Sequence, residues 1–278
     1  MQHDSPDTCA DRPLDGALSH DPATGLSHDP VTGHPRPPRR AFKARGSFVE
    51  RCPGCNLPEL NCLCPYAVTA ESEARVWLLT HPMEHHKPTN TGRLIRDVLP
   101  ETEVFTWYRT VPDERLLALL DDPRYAPFVI FPDDQPDYAE RVVGIDAVAE
   151  VKAAGRTPVY VLLDGTWRQA RRIFRKSPYL DALPVLPLHS ERLTRYRLRK
   201  PASAAHLCTA EVAAELLRQG GDGSAAQALD DYFDAFNESY AASRRFEKIE
   251  APTAAMQRLL ERRHGHREGP NSAIKIAK

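Results

Sequence analysis

Residues 158–177 read PVYVLLDGTWRQARRIFRKS. The first six are almost continuously apolar and rich in β-formers, as in a strand buried on both faces of a parallel sheet. Asp164 follows at the strand's carboxyl end, and Gly165 supplies a tight turn. Thr166 then stands as a helix N-cap with Gln169 three residues on, a T-x-x-Q capping box. The helix behind it is two-faced. Trp167, Ala170, Ile173 and Phe174 form an apolar stripe, while Arg168, Arg171, Arg172 and Arg175 recur at i, i+3, i+4 and i+7 on the other side. Ser177-Pro178 ends it. Open α/β sheets place ligand chemistry at the carboxyl ends of their strands, which makes Asp164 a candidate functional carboxylate. A plain turn residue bonding the next amides fits the same position. Arg168 lies in the first turn, where the helix dipole disfavours a cation, a hint of an anionic partner on this face.

Outward from this unit the chain alternates strand and helix, the pattern of an α/β fold with a mostly parallel sheet and flanking helices. Strands are expected at residues 76–80, 103–107, 127–131 and 185–188. Helices are expected from Thr89-Asn90 through Ile95, from Asp113 to Asp121, at 146–154, at 210–218 with Thr209 as N-cap, and at 229–246. Residues 193–200, LTRYRLRK, alternate Thr194, Tyr196 and Leu198 with Arg195, Arg197 and Arg199, the period of a strand with one basic face. Asp133 and Asp134 end a strand as Asp164 does, and rival it for any chemistry. His81, His85 and His86 lack the carboxylate or cysteine spacing of a metal site and read as solvated or RNA-facing. Thr89-Asn90-Thr91-Gly92 before a helix suits an anion or cofactor cradle. Cys208 has no activating pattern around it and reads as a small buried residue.

Composition sets bounds. The 278 residues are 41% hydrophobic and 27% charged, ordinary for a soluble globular chain. No apolar run reaches the length of a membrane span, and the N-terminus lacks the apolar core of a secretory signal. The net charge of −1 hides an uneven distribution. Residues 164–200 hold ten Lys/Arg against three Asp/Glu, a local balance of +7, and local neutralisation of phosphates is what nucleic-acid binding needs. Residues 1–44 are rich in Pro, Asp and His, repeat L-S-H-D-P-x-T-G twice, and read as a disordered tail.

Four of the six cysteines fall within thirteen residues, in RCPGCNLPELNCLCP at 51–65. Cys52-x2-Cys55 and Cys62-x-Cys64 can return four thiolates to one point, a set that suits tetrahedral zinc; an iron–sulfur site and unbound thiols are alternatives. Such a knot, in place of a disulfide framework, points to a reducing cytoplasm. The expected organisation is a tail (1–44), a zinc-binding module (45–68), a catalytic domain (69–248) and a flexible C-terminal tail (249–278).

Three stretches, in order, resemble one family. D-G-T-W at 164–167 matches the D-x-T-W signature of DTW-domain proteins, the tRNA-uridine aminocarboxypropyltransferases. H-P-M-E-H-H-K-P-T-N-T-G-R-L at 81–94 and R-K-P followed by L-C-T-A-E at 199–211 match two further parts of the pattern, so that the resemblance covers roughly residues 48 to 245. The four-Cys motif agrees with it. The resemblance implies a SPOUT-like fold, of the type that includes deeply knotted α/β proteins, that binds S-adenosylmethionine. It implies transfer of the 3-amino-3-carboxypropyl group to N3 of a tRNA uridine, leaving methylthioadenosine. The absence of G-x-G-x-x-G argues against the commonest methyltransferase fold. On this basis Asp164, Thr166 and Trp167 are expected to be catalytic. Asp164 acts as general base at N3 or holds the sulfonium, and Trp167 stacks on the base or walls the pocket. Pro132, Leu163, Asp164, Gly165, Trp167, Leu207 and Thr209 are expected to line the cofactor pocket. Arg93, Arg168, Arg171, Arg172, Arg175, Arg195, Arg197, Arg199 and Lys200 are expected to grip tRNA. Two alternatives are a SPOUT-type RNA methyltransferase and a zinc-containing RNA-binding protein without catalysis.

Overall fold

In the computed structural model, residues 49–196, 198 and 207–267 are described. Five strands, Arg75–Thr80 (β1), Glu103–Thr106 (β2), Tyr125–Ile130 (β3), Thr157–Asp164 (β4) and Val185–Leu186 (β5), form one sheet in the order β2-β1-β4-β3-β5. Every pairing is parallel, so the fold class is the α/β expected. The helices are Gly92–Val98 (α1), Glu114–Leu120 (α2), Asp146–Ala153 (α3), Trp167–Arg175 (α4), Thr209–Gln219 (α5), Gly223–Arg244 (α6) and Ala254–Arg267 (α7). None of them is long and apolar enough to cross a membrane.

The strand period of two divides the core. Val76, Leu78, Tyr160 and Leu162 pack on one face with α1, α3, α5 and α6. Trp77, Leu79, Val159 and Val161 pack on the other with Leu116 of α2 and Ile173 and Phe174 of α4. β4 runs down the middle, buried on both sides, which is why its sequence is a nearly continuous apolar run. The connections follow the same division. α1 and α3 lead from β1 to β2 and from β3 to β4, in one direction across the sheet. α2 and α4 lead in the opposite direction on the opposite face, as crossovers of a single hand require. β1 and β4 are neighbours whose onward connections diverge, so the crevice outside their carboxyl ends is a topological switch point.

Several expectations are corrected. Residues 191–196 form no strand. Glu211, buried in the first turn of α5, accepts from the Thr194 hydroxyl and the Arg195 amide, both at 2.6 Å, so these groups are pinned to a helix and leave no ladder to join. The N-cap of α5 is Cys208, whose N–H donates to Glu211 at 2.9 Å, and Thr209 is already helical. The second long helix begins at Gly223, ahead of the expected 229. Residues 249–278 are not tail throughout, because α7 buries Ala255, Met256 and Leu259 in the core shared with α6. The four-Cys segment is likewise continuous with the rest. Cys55, Leu57 and Leu63 belong to that core, and everything described from Glu50 onward joins one unit. The expected tail at 1–44, together with Arg197, Arg199, Lys200 and 201–206, lies outside the described residues.

Candidate functional site

Asp164 ends β4 and is buried, 3% exposed. It shares the parity of Tyr160 and Leu162, so its carboxylate points to the α1/α5 face. Three distant segments meet there. Asn90 Nδ2 donates to Oδ2 at 2.8 Å, and the Thr209 hydroxyl donates to Oδ1 at 2.8 Å. Asn90 is itself fixed, because its Oδ1 accepts the Arg93 amide at 3.1 Å. Gly92 opens α1 so close that a Cβ would lie 2.9 Å from Asp164 Oδ2; only glycine allows this approach. The Thr-Asn-Thr-Gly run that suggested an anion cradle therefore does surround an anionic group, one supplied by the chain itself. Thr209, expected as a cap and pocket residue, touches Asp164 directly.

The far side of the same sheet edge is aromatic. Trp167 is 48% exposed and stacks on Phe131 at 5.4 Å and 15°; Phe131 stacks on Phe174 at 4.1 Å and 3°. Trp167 thus departs from the buried stripe of its helix, because it sits one turn before Ala170 and beyond the sheet. These rings floor a cleft of about 220 Å³ whose walls include Tyr138, Arg171 and Arg175. The Tyr138 hydroxyl donates to the Pro132 carbonyl at 2.6 Å. Burial, then Asp134, pushes that phenol up to about 12, so it stays a donor. Leu163 is half-buried on this face. Thr166 and Gln169 form the expected capping box: the Thr166 N–H donates to Gln169 Oε1 at 2.7 Å, and the Gln169 N–H to Thr166 Oγ1 at 3.4 Å. Asp133 and Asp134 are exposed turn residues, Asp133 beside His189 at 3.4 Å. Burial raises the Cys208 thiol pKa, and Glu211 adds to this, which keeps the group protonated.

The expected RNA-binding arginines divide. Arg168, Arg171, Arg172 and Arg175 are exposed, and among the described residues none makes an ion pair or hydrogen bond. Arg172 stands over the Trp107 ring at 5.9 Å. Arg195 is committed elsewhere, bonded to Asp230 at 2.6 Å and to Asp234. Arg93 is half-buried, bonded to the Cys55 carbonyl, and lies 5.5 Å over Phe236. Both guanidiniums are held within the protein, and for one cause. The acids and the carbonyl that hold these guanidiniums come from remote parts of the chain.

The four-Cys cluster is assembled. The Sγ atoms of Cys52, Cys55, Cys62 and Cys64 lie within 4.8 Å of one another. Cys52 and Cys64 are 3.5 Å apart, Cys55 and Cys62 3.7 Å, close to the edge of about 3.8 Å for a tetrahedron with Zn–S near 2.3 Å. Gly54 is required, since a Cβ there would meet Cys64 Sγ at 2.9 Å. The Leu63 amide points at Cys55 Sγ from 3.4 Å, the kind of outer contact that orients a ligand. The amide of Cys55, with smaller help from Cys62 and Gly54, holds the Cys52 thiol down to about 6. The donor set fits a closed four-thiolate zinc site with no open position, which is structural and not catalytic.

The DTW domain family model matches residues 49–241. A tRNA-uridine aminocarboxypropyltransferase 2 of Drosophila melanogaster is 27% identical over 177 residues, 60% of this chain and 65% of that protein. The mouse protein of the same name is 26% identical over 174 residues, 60% of this chain and 55% of that protein. The matched part thus spans between about half and two-thirds of those relatives' length. No solved structure matches. The family match takes in the Cys knot, the whole sheet, α4 and the Asp164 cluster, and the chain belongs to the DTW domain family.

Proposed function

We infer that this protein is a tRNA-uridine aminocarboxypropyltransferase, moving the 3-amino-3-carboxypropyl group of S-adenosylmethionine to N3 of a tRNA uridine. One observation carries the reading: a buried carboxylate at the switch point, Asp164, adjoins a helix whose four arginines have no acidic partner among the described residues and whose exposed Trp167 opens on an aromatic cleft. The two sides of the sheet edge divide the work. The α5 side, with Asp164, Thr209 and Leu207, receives the donor. The α4 side, with Trp167, receives the nucleobase by stacking, and its arginines take phosphates. The all-parallel order with α5 returning to the end of β4 supports the SPOUT-like architecture.

The sulfonium already activates the carbon, so the protein must align N3 with the γ-carbon and not the methyl. Of the two roles for Asp164, the geometry favours a held charge over a proton acceptor. Both oxygens already accept hydrogen bonds, and the carboxylate points away from the Trp167 face. A fixed anion beside a sulfonium binds and orients the donor; because that positive charge is lost as the C–S bond breaks, the contribution of Asp164 is to donor binding and alignment. Thr166 shapes the turn through its capping box. Zinc, where bound, ties the Cys knot and takes no part in transfer.

The experiment is single-turnover transfer to tRNA from donor labelled in the aminocarboxypropyl group, with nucleoside mass spectrometry. Aminocarboxypropyl-uridine together with methylthioadenosine is expected. Methyl-uridine with adenosylhomocysteine would overturn the reading in favour of methyl transfer, and absence of saturable donor binding would favour a pure RNA binder. Asp164→Asn is expected to weaken donor affinity by about 10–10²-fold, with a smaller fall in the transfer rate at saturating donor. The fold survives because the new amide can accept from Asn90 and donate to Thr209, whose hydroxyl turns. A held charge predicts an unchanged shape of the pH–rate profile; a lost limb would restore the general base.

A further inference from the structure

His81 directly follows β1, and its N–H donates to the carbonyl of Asp164, the last residue of β4, at 2.9 Å. By strand parity its ring lies on the α4 face, 6.0 Å from the Trp107 ring at 30°. It flanks the D-G-T-W turn: a Cβ on Gly165 would lie 3.6 Å from that of His81. The hydrogen bonds decide its tautomer. The Thr166 N–H has only a proton to offer, so the Gln169 atom it meets at 2.7 Å is the carbonyl oxygen. The other end of that amide is then NH2, and it donates to His81 Nδ1 at 3.1 Å. The Met83 N–H donates to the same Nδ1 at 3.3 Å. Nδ1 is thus an acceptor twice over, and the one proton of the neutral ring is on Nε2. Among the described residues Nε2 has no hydrogen-bond partner.

We propose that His81 is a hydrogen-bond donor to the substrate, offering Nε2–H to the pyrimidine carbonyl oxygen next to the reacting nitrogen. The assignment rests on the uridine reading above. In the reaction N3–H loses its proton to solvent, N3 forms a bond to the γ-carbon, and the C–S bond breaks with its electron pair going to sulfur, leaving a neutral thioether. The charge left by the departing N3 proton spreads onto the flanking carbonyl oxygens. A preset N–H aimed at one of them stabilises that charge, and His81 keeps its own proton throughout. The surroundings keep the ring neutral. Burial lowers its pKa; Glu84 opposes this, while Arg172 and Lys87 reinforce it. A proton added at Nδ1 would also face the Gln169 and Met83 donors. The proposal gives the capping-box pair a second role, since Thr166 fixes Gln169 and Gln169 fixes His81.

Two measurements on the full chain test it. In histidine-labelled protein, nitrogen NMR should show His81 as the neutral Nε2–H tautomer at pH 7, with that nitrogen shifting when tRNA is added. Finding the proton on Nδ1 overturns the proposal whatever the activity. In single-turnover transfer, His81→Phe should lower the rate by about 10²–10³-fold at unchanged tRNA affinity. His81→Gln, whose amide N–H reaches the Nε2 position, should recover at least about a tenth of the lost rate, an order-of-magnitude expectation for a restored donor. A near-normal Phe variant, or equal loss in both variants with a matching fall in melting temperature, overturns it. Wild-type protein that shows the tautomer and the shift but makes no aminocarboxypropyl-uridine would defeat the functional reading and leave standing only the Nε2–H tautomer and its contact with RNA.

Discussion

Helix α4 turns Arg168, Arg171, Arg172 and Arg175 outward with no acidic partner among the described residues, whereas Arg192, Arg195 and Arg218 close around Asp230. Asp230 is 5% exposed and accepts from all three, at 3.1, 2.6 and 2.6 Å, while Glu215 also bonds Arg192 and Arg218. Both regions contribute to the same local excess of positive charge. Only the first has that charge to spare for a partner. A local excess counted along the chain becomes a binding surface only where its cations are not already bonded to acids from other elements; Asp134, Asp137 and Asp181 line the cleft with Arg171 and Arg175, but no ion pair among the described residues joins them.

The largest effect expected in testing this contrast comes from the four-Cys cluster, because Arg93 belongs to the structural class through it. Its guanidinium is bonded to the Cys55 carbonyl, and Asn61 of the same segment donates to Ser243 at 2.9 Å and to the Glu247 carbonyl at 2.8 Å. The Cys knot is therefore built into the core and not appended to it. Purified protein should carry one zinc per chain. Stripping it, or Cys55→Ser, should reduce stability by on the order of 5 kcal/mol, part of the ~10–16 kcal/mol that zinc contributes in zinc-finger peptides. Elemental analysis and denaturant unfolding are the measurements. Unchanged stability in metal-free protein would break the structural assignment of both the knot and Arg93.

The next effect is at Asp230. Its removal by Asp230→Ala leaves three guanidiniums sharing only Glu215 and Asp234. Breaking a fully buried pair costs ~3–5 kcal/mol, and partial exposure of the arginines reduces this to about 2–3 kcal/mol. Urea unfolding measures it. Arg195→Ala sharpens the contrast from the other side, since the salt dependence of tRNA binding should not change. A shallower slope would return Arg195 to the RNA-binding set.

These contrasts follow the limits of what the sequence discloses. The β4–Asp164–Thr166–α4 unit is legible because its determinants are local: a buried run, a turn glycine and a capping box, all between residues 158 and 169. The partners of Asp164 are not, since Asn90 and Thr209 lie 74 and 45 residues away and are brought near only by the order of the strands. The alternation at 193–199 looks like a strand because the acids that neutralise Arg195, on α6, lie 35 and 39 residues further on. α7 looks like tail because its buried residues, Ala255, Met256 and Leu259, are sparse among Arg, Glu and His. His81 does carry a usable local signal, for it stands at the carboxyl end of an apolar strand, the kind of position that singles out Asp164.

The smallest effect on stability, and the most diagnostic for function, is expected on α4. Arg171 and Arg175 share one wall of the aromatic cleft and make no hydrogen bond or ion pair among the described residues. The double variant Arg171→Ala/Arg175→Ala removes two solvated cations from a helix, and alanine favours the helix. Unfolding free energy should therefore stay within about 0.5 kcal/mol of wild type. Binding should respond quite differently. Removing one arginine from a phosphate lowers the magnitude of the log K against log salt slope by roughly 1, so a decrease of about 2 is expected if both arginines reach phosphates. Donor affinity should not move, because Asp164 and Thr209 lie on the other side of the sheet edge. The measurement is a salt titration of tRNA binding alongside donor calorimetry. A full slope retained by the double variant would show that this face is merely solvated, and the difference between the two arginine regions would be one of packing alone.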